Sequence, residues 1–594
     1  MTGGRPRRGT AALLAAAVAL AGCGVPGSSD VVVLERVDES RLPAGDDSTV
    51  EPPGRGATTD PLEFARNFLA AAAGDPAQAL RRQRAFGSDA LQRWQPPGTV
   101  HIVDLEGRPA VNRGVADIKV NISVTHLGVL GEDGTVQPVV RRSAEYTLTL
   151  VAREGSLYVT DAPPVLLLPS EDFSRYFEQR VLYYWTVDGG HLVPDVRYVS
   201  RRDVPRGQRP TQLVRWLLRG PSPLLTPVVR ALPRDADLVG NVLTANNRWT
   251  VNLTRAPAAE IGQIATQLRW TLAEGTGPVP GLTLQVDRDR VSNDDSRYLD
   301  ANEAYRGQEE PARLCVLGGR VQQIDAPGAG GVTVPALPAT YRGVLQAAYQ
   351  QVGTHRTYAV LVRDLGRGLR TVDVATGDGN QFARPLPTGL RLRDAGQPVW
   401  IPTREVGLVP SAGVLLAVRP GARGRELVRG VPPGVTAVAV PPDGRRIAMV
   451  AAGVLWVGAL VADGTTVSVV GRVRLPVSDL SGLTAVAWIE QTRLAVAGRS
   501  NRLGQMQLWG VTVDGAVQEP LMLENQGLGS APLRPLVGAV DDPSDGSVPG
   551  DLMYEVNRLT YQRIDGEPVT VDDLLAPGAV GDRVRFPTAP FFYG

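Results

Sequence analysis

Apolar positions at helical spacing open the folded part of the chain. In "DPLEFARNFLAAAAGDP", which starts at Asp60, they recur every third or fourth residue and form one face. Asp60 is placed to cap this helix, Pro61 suits its first position, and Glu63 completes a capping box. A second helical stretch is predicted at about residues 77–94, and alternation then predicts strands to about residue 169. Helices followed by strands predict a small α+β domain, with a curled sheet around a helix pair.

A different alternation of elements runs from about residue 178 to 300. "RVLYYWTVDGGHLVPDVRYVSR" predicts two strands joined by a turn at Gly189 and Gly190. "RPTQLVRWLLRGPSPLL" predicts a helix that stops at Gly220-Pro221. The next segments predict a hairpin in "DLVGNVLTANNRWTVNLTR", a helix in "AAEIGQIATQLRWTLAE" and a strand in "GLTLQVD". The order ββ-α-ββ-α-β indicates a second small α+β domain.

An internal repeat replaces the helical signals after about residue 310. "GVTAVAVPPDGRRIAMVAAGVLWVGALVADG" starts at Gly434, and "GLTAVAWIEQTRLAVAGRSNRLGQMQLWGVTVDG" starts at Gly482. Both open with G-x-T-A-V-A, and weaker copies lie on either side. Four strands repeated at roughly 40 to 50 residues are typical of a propeller blade, so about six blades are predicted. An irregular β-sandwich is the alternative, although sandwiches do not repeat at this period. We expect the ring to close by pairing "ARLCVLGGRVQQID" with the blade that contains "DLMYEVNRLTYQRIDGE".

The start of the chain has a pattern of its own. Basic residues precede an apolar run from Ala11 to Ala21, which is shorter than the about 20 residues needed to span a bilayer. A buried core helix is the alternative, but a Gly- and Pro-rich stretch ends the run at once. Leu20-Ala21-Gly22-Cys23 resembles the lipobox of bacterial lipoproteins. That resemblance implies that Cys23 carries a diacylglyceryl group and is the mature N-terminus, which would anchor the protein to the cytoplasmic membrane on its extracytoplasmic face.

The fold class predicted from these patterns is multidomain: two small α+β domains followed by an all-β propeller. The first domain resembles the NTF2-like domains of exported proteins, and the second, through "LLRGP" and "IATQLRWTL", resembles the GerMN domain. Residues 24–59 are rich in Pro, Gly, Ser and acidic residues and predict a flexible tether. The predicted parts are a signal peptide (1–22), the lipidated cysteine and tether (23–59), an NTF2-like domain (60–172), a GerMN-like domain (173–303) and a propeller (304–594).

Charge and cysteine content narrow the functional classes. The 62 basic and 61 acidic residues leave a net charge of +1, which argues against nucleic acid as a partner. With Cys23 assigned to lipid, Cys315 has no partner for a disulfide, and its apolar surroundings predict a buried, inert thiol.

The motifs expected of an enzyme are missing from the sequence. The only lysine, Lys119, lies between Ile118 and Val120, which excludes a Walker A loop and Ser-x-x-Lys chemistry. "PGAGGVTVP" lacks the βαβ context of a phosphate loop and is interpreted as a linker. No catalytic, metal-binding or cofactor residues are therefore predicted. The weaker candidates are the four histidines and two carboxylate pairs, interpreted as surface or half-buried residues: His101, His126, His191, His355, Asp541-Asp542 and Asp572-Asp573.

The order of lipobox, tether, NTF2-like unit, GerMN unit and propeller resembles the LpqB lipoproteins of actinobacteria. The closing "FPTAPFFYG" is similar to the end of that family. The resemblance covers nearly the whole chain and implies a role beside the MtrA–MtrB two-component system. In that role the lipoprotein contacts the extracytoplasmic sensor domain of the kinase and modulates it, which supports envelope homeostasis and division.

Two other functions stay open at this point. A glycan- or ligand-binding lipoprotein would place aromatic residues along the propeller funnel or the GerMN groove. Trp400, Trp456, Trp488 and Trp509 are the candidates, although packing inside the blades is the favoured interpretation. A propeller-based hydrolase or lyase would need carboxylates or histidines converging from several blades.

Overall fold

A computed structural model gives the fold of the chain. It describes residues 51–139, 143–273, 280–291, 298–299, 302, 311–324, 333–353, 356–464, 466–522, 528–540, 551–562, 566–575 and 586–593. Cys23 and the tether up to residue 50 lie outside the described residues, as do His355 and the pair Asp541-Asp542. Within the described part, no helix combines the length and apolar character needed to cross a membrane.

The first domain packs helices against a seven-stranded sheet. Asp60 caps α1 (Pro61–Ala70) by accepting the backbone N–H groups of Leu62 and Glu63. Glu63 does not complete the expected capping box: its carboxylate accepts from the Thr58 hydroxyl, and the Thr58 oxygen accepts the N–H of Asp60. The other helices are α2 (Pro76–Arg84) and α3 (Ser170–Tyr176). The strands are β1 (Val100–Leu105), β2 (Ala110–Arg113), β3 (Ile118–Leu130), β4 (Val136–Gln137), β5 (Ser143–Arg153), β6 (Ser156–Asp161) and β7 (Leu166–Pro169).

The order of the strands in this sheet is β6-β5-β3-β1-β7, with β2 and β4 paired to β3. Only the β1–β7 pair is parallel. Phe64 and Phe68 of α1 are both buried and meet Phe86 edge to face. The apolar stripe read from the sequence is therefore the face of α1 that covers the sheet.

The second domain has the predicted order ββ-α-ββ-α-β, with one short strand added at its end. Its helices are α4 (Arg209–Arg219) and α5 (Ile261–Leu272). Gly220 ends α4 with a φ of 104°, a conformation that favours glycine. The strands are β8 (Phe177–Trp185), β9 (Leu192–Ser200), β10 (Leu243–Ala245), β11 (Arg248–Leu253), β12 (Gly281–Val286) and β13 (Asp289–Arg290). β8 and β9 form a two-stranded sheet, and the others form a sheet in the order β10-β11-β12-β13.

The remaining described residues form six antiparallel sheets. Their strands, sheet by sheet, are β14 (Ala312–Leu317), β15 (Arg320–Gln323) and β35 (Thr588–Tyr593); β16 (Val344–Val352), β17 (Arg356–Gly366), β18 (Leu369–Gly377) and β19 (Leu386–Pro387); β20 (Val399–Ile401), β21 (Val406–Ser411), β22 (Val414–Val418) and β23 (Glu426–Leu427); β24 (Val435–Ala439), β25 (Arg446–Ala451), β26 (Val454–Asp463) and β27 (Thr466–Leu475); β28 (Leu480–Glu490), β29 (Arg493–Ser500), β30 (Met506–Thr512) and β31 (Gln518–Pro520); β32 (Leu536–Gly538), β33 (Leu552–Val556) and β34 (Leu559–Tyr561).

These sheets follow one another around a ring. β24 contacts β28, β28 contacts β32, and β32 contacts β35, which in turn contacts β16. The ring closes through β14, as expected, but its strand partner differs from the expectation. β14 pairs with β35, the last six described residues, rather than with a strand of "DLMYEVNRLTYQRIDGE". That segment instead forms β33 and β34, whose sheet lies next to β35.

Candidate functional site

A channel of about 1010 Å³ lies at the centre of the ring. Its wall includes the two repeat openings, Thr436 to Ala439 on β24 and Thr484 to Ala487 on β28. The T-A-V-A tetrapeptides are thus equivalent positions of two innermost strands. Because small residues recur there, the centre of the ring stays open and is not filled by side chains.

A hairpin turn from the second domain lies over one end of this channel. Gly190 and His191, which connect β8 to β9, are part of the channel lining. They meet turns that follow innermost strands of the ring, such as residues 402–405 after β20 and 440–445 after β24. The opposite mouth is bordered by segments that precede innermost strands, with the exposed residues Asp394 and Arg534.

Asp188 joins the hairpin to the propeller. Its carboxylate lies 2.9 Å from Nη2 of Arg404 and 2.5 Å from Nη2 of Arg445. Partial burial opposes the ionisation of Asp188, but hydrogen bonds from Thr186 and Arg404 and the charge of Arg445 outweigh it. Together they hold the pKa of Asp188 well below its usual range. Asp188 is therefore ionised at neutral pH.

His191 adds a second, buried contact at the same turn. Its Nε2 lies 2.7 Å from the backbone oxygen of Asp443, so Nε2–H is the donor. Burial lowers the pKa of His191, which favours the neutral ring. The Asp443 side chain is itself buried and paired with Arg446, at 2.6 Å. The turn thus rests on a part of the propeller that is already rigidly bonded.

The strands behind the turn extend this contact along the propeller. The Tyr183 hydroxyl donates to Oε1 of Gln491 at 2.8 Å, and Nε2 of Gln179 donates to the Thr492 hydroxyl at 2.8 Å. The Tyr198 hydroxyl donates to the buried Asp514 at 3.2 Å. We call these contacts, with those of Asp188 and His191, the hairpin seam. Hydrogen bonds and ion pairs of the hairpin seam therefore join the second domain to the propeller.

Few charged groups face the channel. Apart from the phenol of Tyr349, the ionisable side chains that line it are His191, at the covered end, and Asp394 and Arg534. No group of three or more His, Cys, Asp or Glu residues that could hold a metal ion occurs among the described residues. Asp572-Asp573 is exposed, and Asp573 accepts hydrogen bonds from the backbone and hydroxyl of Thr570. Its geometry is that of a capping residue.

The four tryptophans are divided between wall and blade. Trp488 belongs to the channel lining, whereas the other three, Trp400, Trp456 and Trp509, do not. Trp488 is buried, its indole N–H donates to the Ala439 oxygen at 3.2 Å, and Arg446 lies over its ring at 4.6 Å. The four tryptophans therefore do not form an aromatic wall around this channel, because only Trp488 lines it.

Two of the histidines meet, which the sequence did not indicate. Nδ1 of His101 on β1 lies 3.2 Å from Nδ1 of His126 on β3, and Nε2 of His126 lies 3.1 Å from the Tyr146 hydroxyl. Burial lowers the pKa of His101, and the charge of His126 lowers it further; burial also lowers the pKa of His126. A register shift between Ile102 and Val103 sets this pairing. Single-strand periodicity carries no signal for it.

Cys315 is buried on β14, where its thiol contacts the Gln322 oxygen at 3.7 Å. Burial raises the pKa of this thiol to about 12. The thiolate that nucleophilic chemistry needs is therefore almost absent at neutral pH.

Comparisons with known families match three consecutive parts of the chain. The model described as "Lipoprotein LpqB, N-terminal domain" matches residues 52–174, and "Sporulation and spore germination" matches residues 181–291. "Lipoprotein LpqB beta-propeller domain" matches residues 416–534. The chain is thus similar to the LpqB lipoproteins in both its N-terminal domain and its propeller, with a match to the spore-germination model between them. The predicted class, a multidomain, mostly β protein with a GerMN domain and a propeller, is confirmed. The domain boundaries, the total number of blades and the NTF2-like likeness stay predictions.

Curated LpqB lipoproteins align along most of the chain. The protein of Nocardia farcinica is 26% identical over 87% of this chain and 89% of its own length. That of Streptomyces coelicolor is 27% identical over 87% and 90%, and that of Cutibacterium acnes is 24% identical over 86% and 90%. Among solved structures, the hydrazine synthase of Kuenenia stuttgartiensis gives a TM-score of 0.28 at 16% identity, over 41% of this chain and 70% of that one. This last likeness carries no functional argument.

Proposed function

We propose that this protein is an LpqB-type lipoprotein that acts without catalysis, by binding the extracytoplasmic sensor domain of a membrane histidine kinase of the MtrB type. The observation that carries the proposal is the hairpin seam. It joins the second domain to the propeller through Asp188, His191 and the strands behind them. A body bonded in this way presents a large, fixed surface, which a regulatory contact needs.

The anchor supports the same proposal. Cys23 in its lipobox context is proposed to carry the diacylglyceryl group, on the outer face of the cytoplasmic membrane. Each buried methylene contributes about 0.8 kcal/mol, so two acyl chains suffice for stable attachment. Residues 51–59 contact the folded domains, with Arg55 over the ring of Tyr158 and Glu51 paired with Arg202. The proposed tether, residues 23–50, would have a root-mean-square span of roughly 26 to 32 Å. Holding lipoprotein and kinase on one membrane raises their effective concentration, so a weak contact is sufficient.

The proposed contact surface is the pair of α+β domains, residues 60–300, because they follow the tether directly. The propeller then stabilises the body or adds a second contact. Exposed apolar side chains provide reporter positions on both parts: Val115 and Leu243 on the α+β domains, Leu386 and Leu427 on the propeller. None of these four takes part in the hairpin seam.

The test places a photo-crosslinking amino acid at each of these four positions in the full-length, lipidated protein. Membranes that contain the kinase are irradiated, and crosslinked partners are identified by mass spectrometry. We expect kinase adducts from positions 115 and 243 and none from 386 and 427. Adducts only from the propeller positions would move the contact surface, and the absence of kinase adducts at all four, with no change in kinase output on deletion of the gene, would overturn the proposal.

The channel supports a second candidate function, a ligand-binding lipoprotein. An open cavity of about 1010 Å³ is large enough for a sizeable small molecule. A hydrolase or lyase function is less well supported, because it would need carboxylates or histidines converging from several blades. The described lining contains a single carboxylate, Asp394, and a single histidine, His191.

A further inference from the structure

We propose that the central channel is a binding site for a neutral oligosaccharide. The ligand enters through the mouth bordered by Asp394 and Arg534 and reaches toward the end covered by the hairpin turn. This inference goes beyond the proposed contact with a kinase and does not depend on it. Its support comes from the shape of the channel, the chemistry of its wall and the distribution of charge.

The shape is that of a deep pocket. Gly190 and His191 line one end, and the ion pairs of Asp188 with Arg404 and Arg445 hold them there. A ligand therefore approaches from the other mouth and meets the turn as a floor. The volume of about 1010 Å³ corresponds to several linked sugar rings and is at the upper end of ordinary ligand pockets.

The wall is rich in amides and hydroxyls, which suit a polyhydroxylated ligand because they both donate and accept hydrogen bonds. The groups concerned are Gln346, Gln350, Gln351, Gln397, Thr403 and Thr436. Between them lie small apolar residues of the T-A-V-A segments, and the half-buried ring of Phe592. Apolar patches of this kind can contact the C–H faces of sugar rings.

Backbone oxygens hold the glutamines of this wall in place. Nε2 of Gln397 donates to the Ala347 oxygen at 2.7 Å, Nε2 of Gln350 donates to the Gln351 oxygen at 3.0 Å, and Nε2 of Gln351 donates to the Gly353 oxygen at 3.2 Å. The polar part of the wall is therefore fixed by the protein itself before a ligand enters.

Charge argues against ionic ligands. An anionic ligand such as a phosphate calls for converging arginines, and a cationic ligand calls for converging carboxylates. The described lining has one of each, Arg534 and Asp394, both exposed at the open mouth. His191 at the covered end has a lowered pKa because it is buried, and so it is neutral as well.

Isothermal titration calorimetry on the full-length, lipidated protein in detergent tests the proposal. The probes are chitotetraose, maltotetraose and mannotetraose, with tetragalacturonic acid as the charged comparison and tetra-alanine as the peptide comparison. We expect at least one neutral tetrasaccharide to bind about tenfold or more tightly than the acid or the peptide. Binding by none of the neutral sugars, or preference for the acid or the peptide, overturns the assigned ligand class.

Matched variants locate the site. Thr436 and Thr466 are exposed threonines on the innermost and outermost strands of one sheet, and only Thr436 lines the channel. Thr436→Trp should reduce sugar affinity by about tenfold or more by filling the channel, whereas Thr466→Trp should leave it within about twofold. Equal binding by both variants overturns the channel as the site.

Thr436→Val supplies a second test that does not rely on a bulky side chain. Valine keeps the shape of threonine and removes the hydroxyl of an exposed residue that lines the channel. We expect nearly unchanged thermal stability and a loss of about three- to tenfold in sugar affinity. Unchanged affinity would show that this hydroxyl does not meet the ligand, and would overturn the hydrogen-bonding argument.

Discussion

Arg197 shows how a single side chain fixes the motif "LLRGP". It is fully buried on β9, where Nη1 lies 2.9 Å from Oδ2 of Asp195 and Nη2 donates to the Gly220 oxygen at 3.2 Å. Asp195 in turn accepts the backbone N–H of Ser222 at 2.7 Å. The ion pair thereby connects the end of α4 to β9. It also explains why an arginine, a residue type usually exposed to solvent, is buried here: its charge is paired with Asp195.

Replacing Arg197 should be costly. Arg197→Leu leaves the Asp195 carboxylate buried without its cation, and we expect a loss of about 3–5 kcal/mol in the free energy of unfolding. Chemical denaturation measures it. The double variant Arg197→Leu with Asp195→Asn removes the unpaired charge and should recover part of the loss. A single variant as stable as the parent would show that the ion pair has no net stabilising role.

The histidine pair predicts a pH dependence. Both rings have a lowered pKa in the folded protein, so between that value and the ordinary pKa of about 6.5 the unfolded chain binds more protons. Stability should therefore fall as the pH drops below about 6.5. His101→Gln removes one titrating ring and should flatten the decline in melting temperature between about pH 7.5 and 5.

Tyr146→Phe is the control for the pH effect. It removes the hydroxyl that contacts His126 but no group that titrates in this range, so the slope should stay that of the parent. A slope in His101→Gln as steep as in the parent would assign the pH dependence to other groups.

At the scale of elements, the last strand carries the closure of the ring. Phe591 on β35 is 3% exposed and packs edge to face on Tyr349 of β16, whereas Phe586, just before the strand, is 41% exposed. We expect Phe591→Ala to lower the free energy of unfolding by about 3–5 kcal/mol and Phe586→Ala to leave it nearly unchanged. Thermal melting compares the two. Equal melting temperatures would show that β35 is dispensable for closure.

The hairpin that carries Asp188 predicts a separable effect. Asp188→Asn removes the ion pairs with Arg404 and Arg445 but keeps an oxygen for the turn, and because these groups are partly exposed we expect a loss of only about 0.5–1 kcal/mol. The pairs persist above the lowered pKa of Asp188, so the loss should be constant from about pH 5 to 8. Asp235→Asn breaks the exposed pair with Arg255 and serves as control. A loss no greater than in this control would contradict a stabilising role for the seam.

Elements were predictable where periodicity alone decides them. The apolar face of α1 and the two T-A-V-A openings followed from spacing, because the 3.6-residue period and the repeat are local properties. The partner of β14 was predicted wrongly, because strand pairing between distant segments leaves no trace in either segment. The hairpin seam and the His101–His126 pair were missed for the same reason: each joins residues from separate elements. The channel could not be predicted from the sequence either, because it exists only once the sheets have closed into a ring.

At the scale of the whole molecule, attachment and folding should be independent. The anchor is proposed to depend on Cys23 alone, whereas the only other cysteine, Cys315, lies buried in β14. The two positions therefore form a matched pair of variants. Cys23→Ala should abolish lipid attachment and leave the fold unchanged. Cys315→Ala should leave lipid attachment intact and remove only one buried thiol group from the core.

Membrane fractionation after a high-salt wash compares these variants. We expect the parent and Cys315→Ala in the membrane pellet and Cys23→Ala in the supernatant, because two acyl chains at about 0.8 kcal/mol per methylene resist salt and a nearly neutral surface does not bind lipid headgroups. Crosslinking to the kinase should decline with Cys23→Ala even though every protein contact is kept, since the tether no longer concentrates the two partners on one surface. Retention of Cys23→Ala in the washed pellet would reject the lipid anchor, whereas release with undiminished crosslinking would mean that the contact is strong enough to form without it.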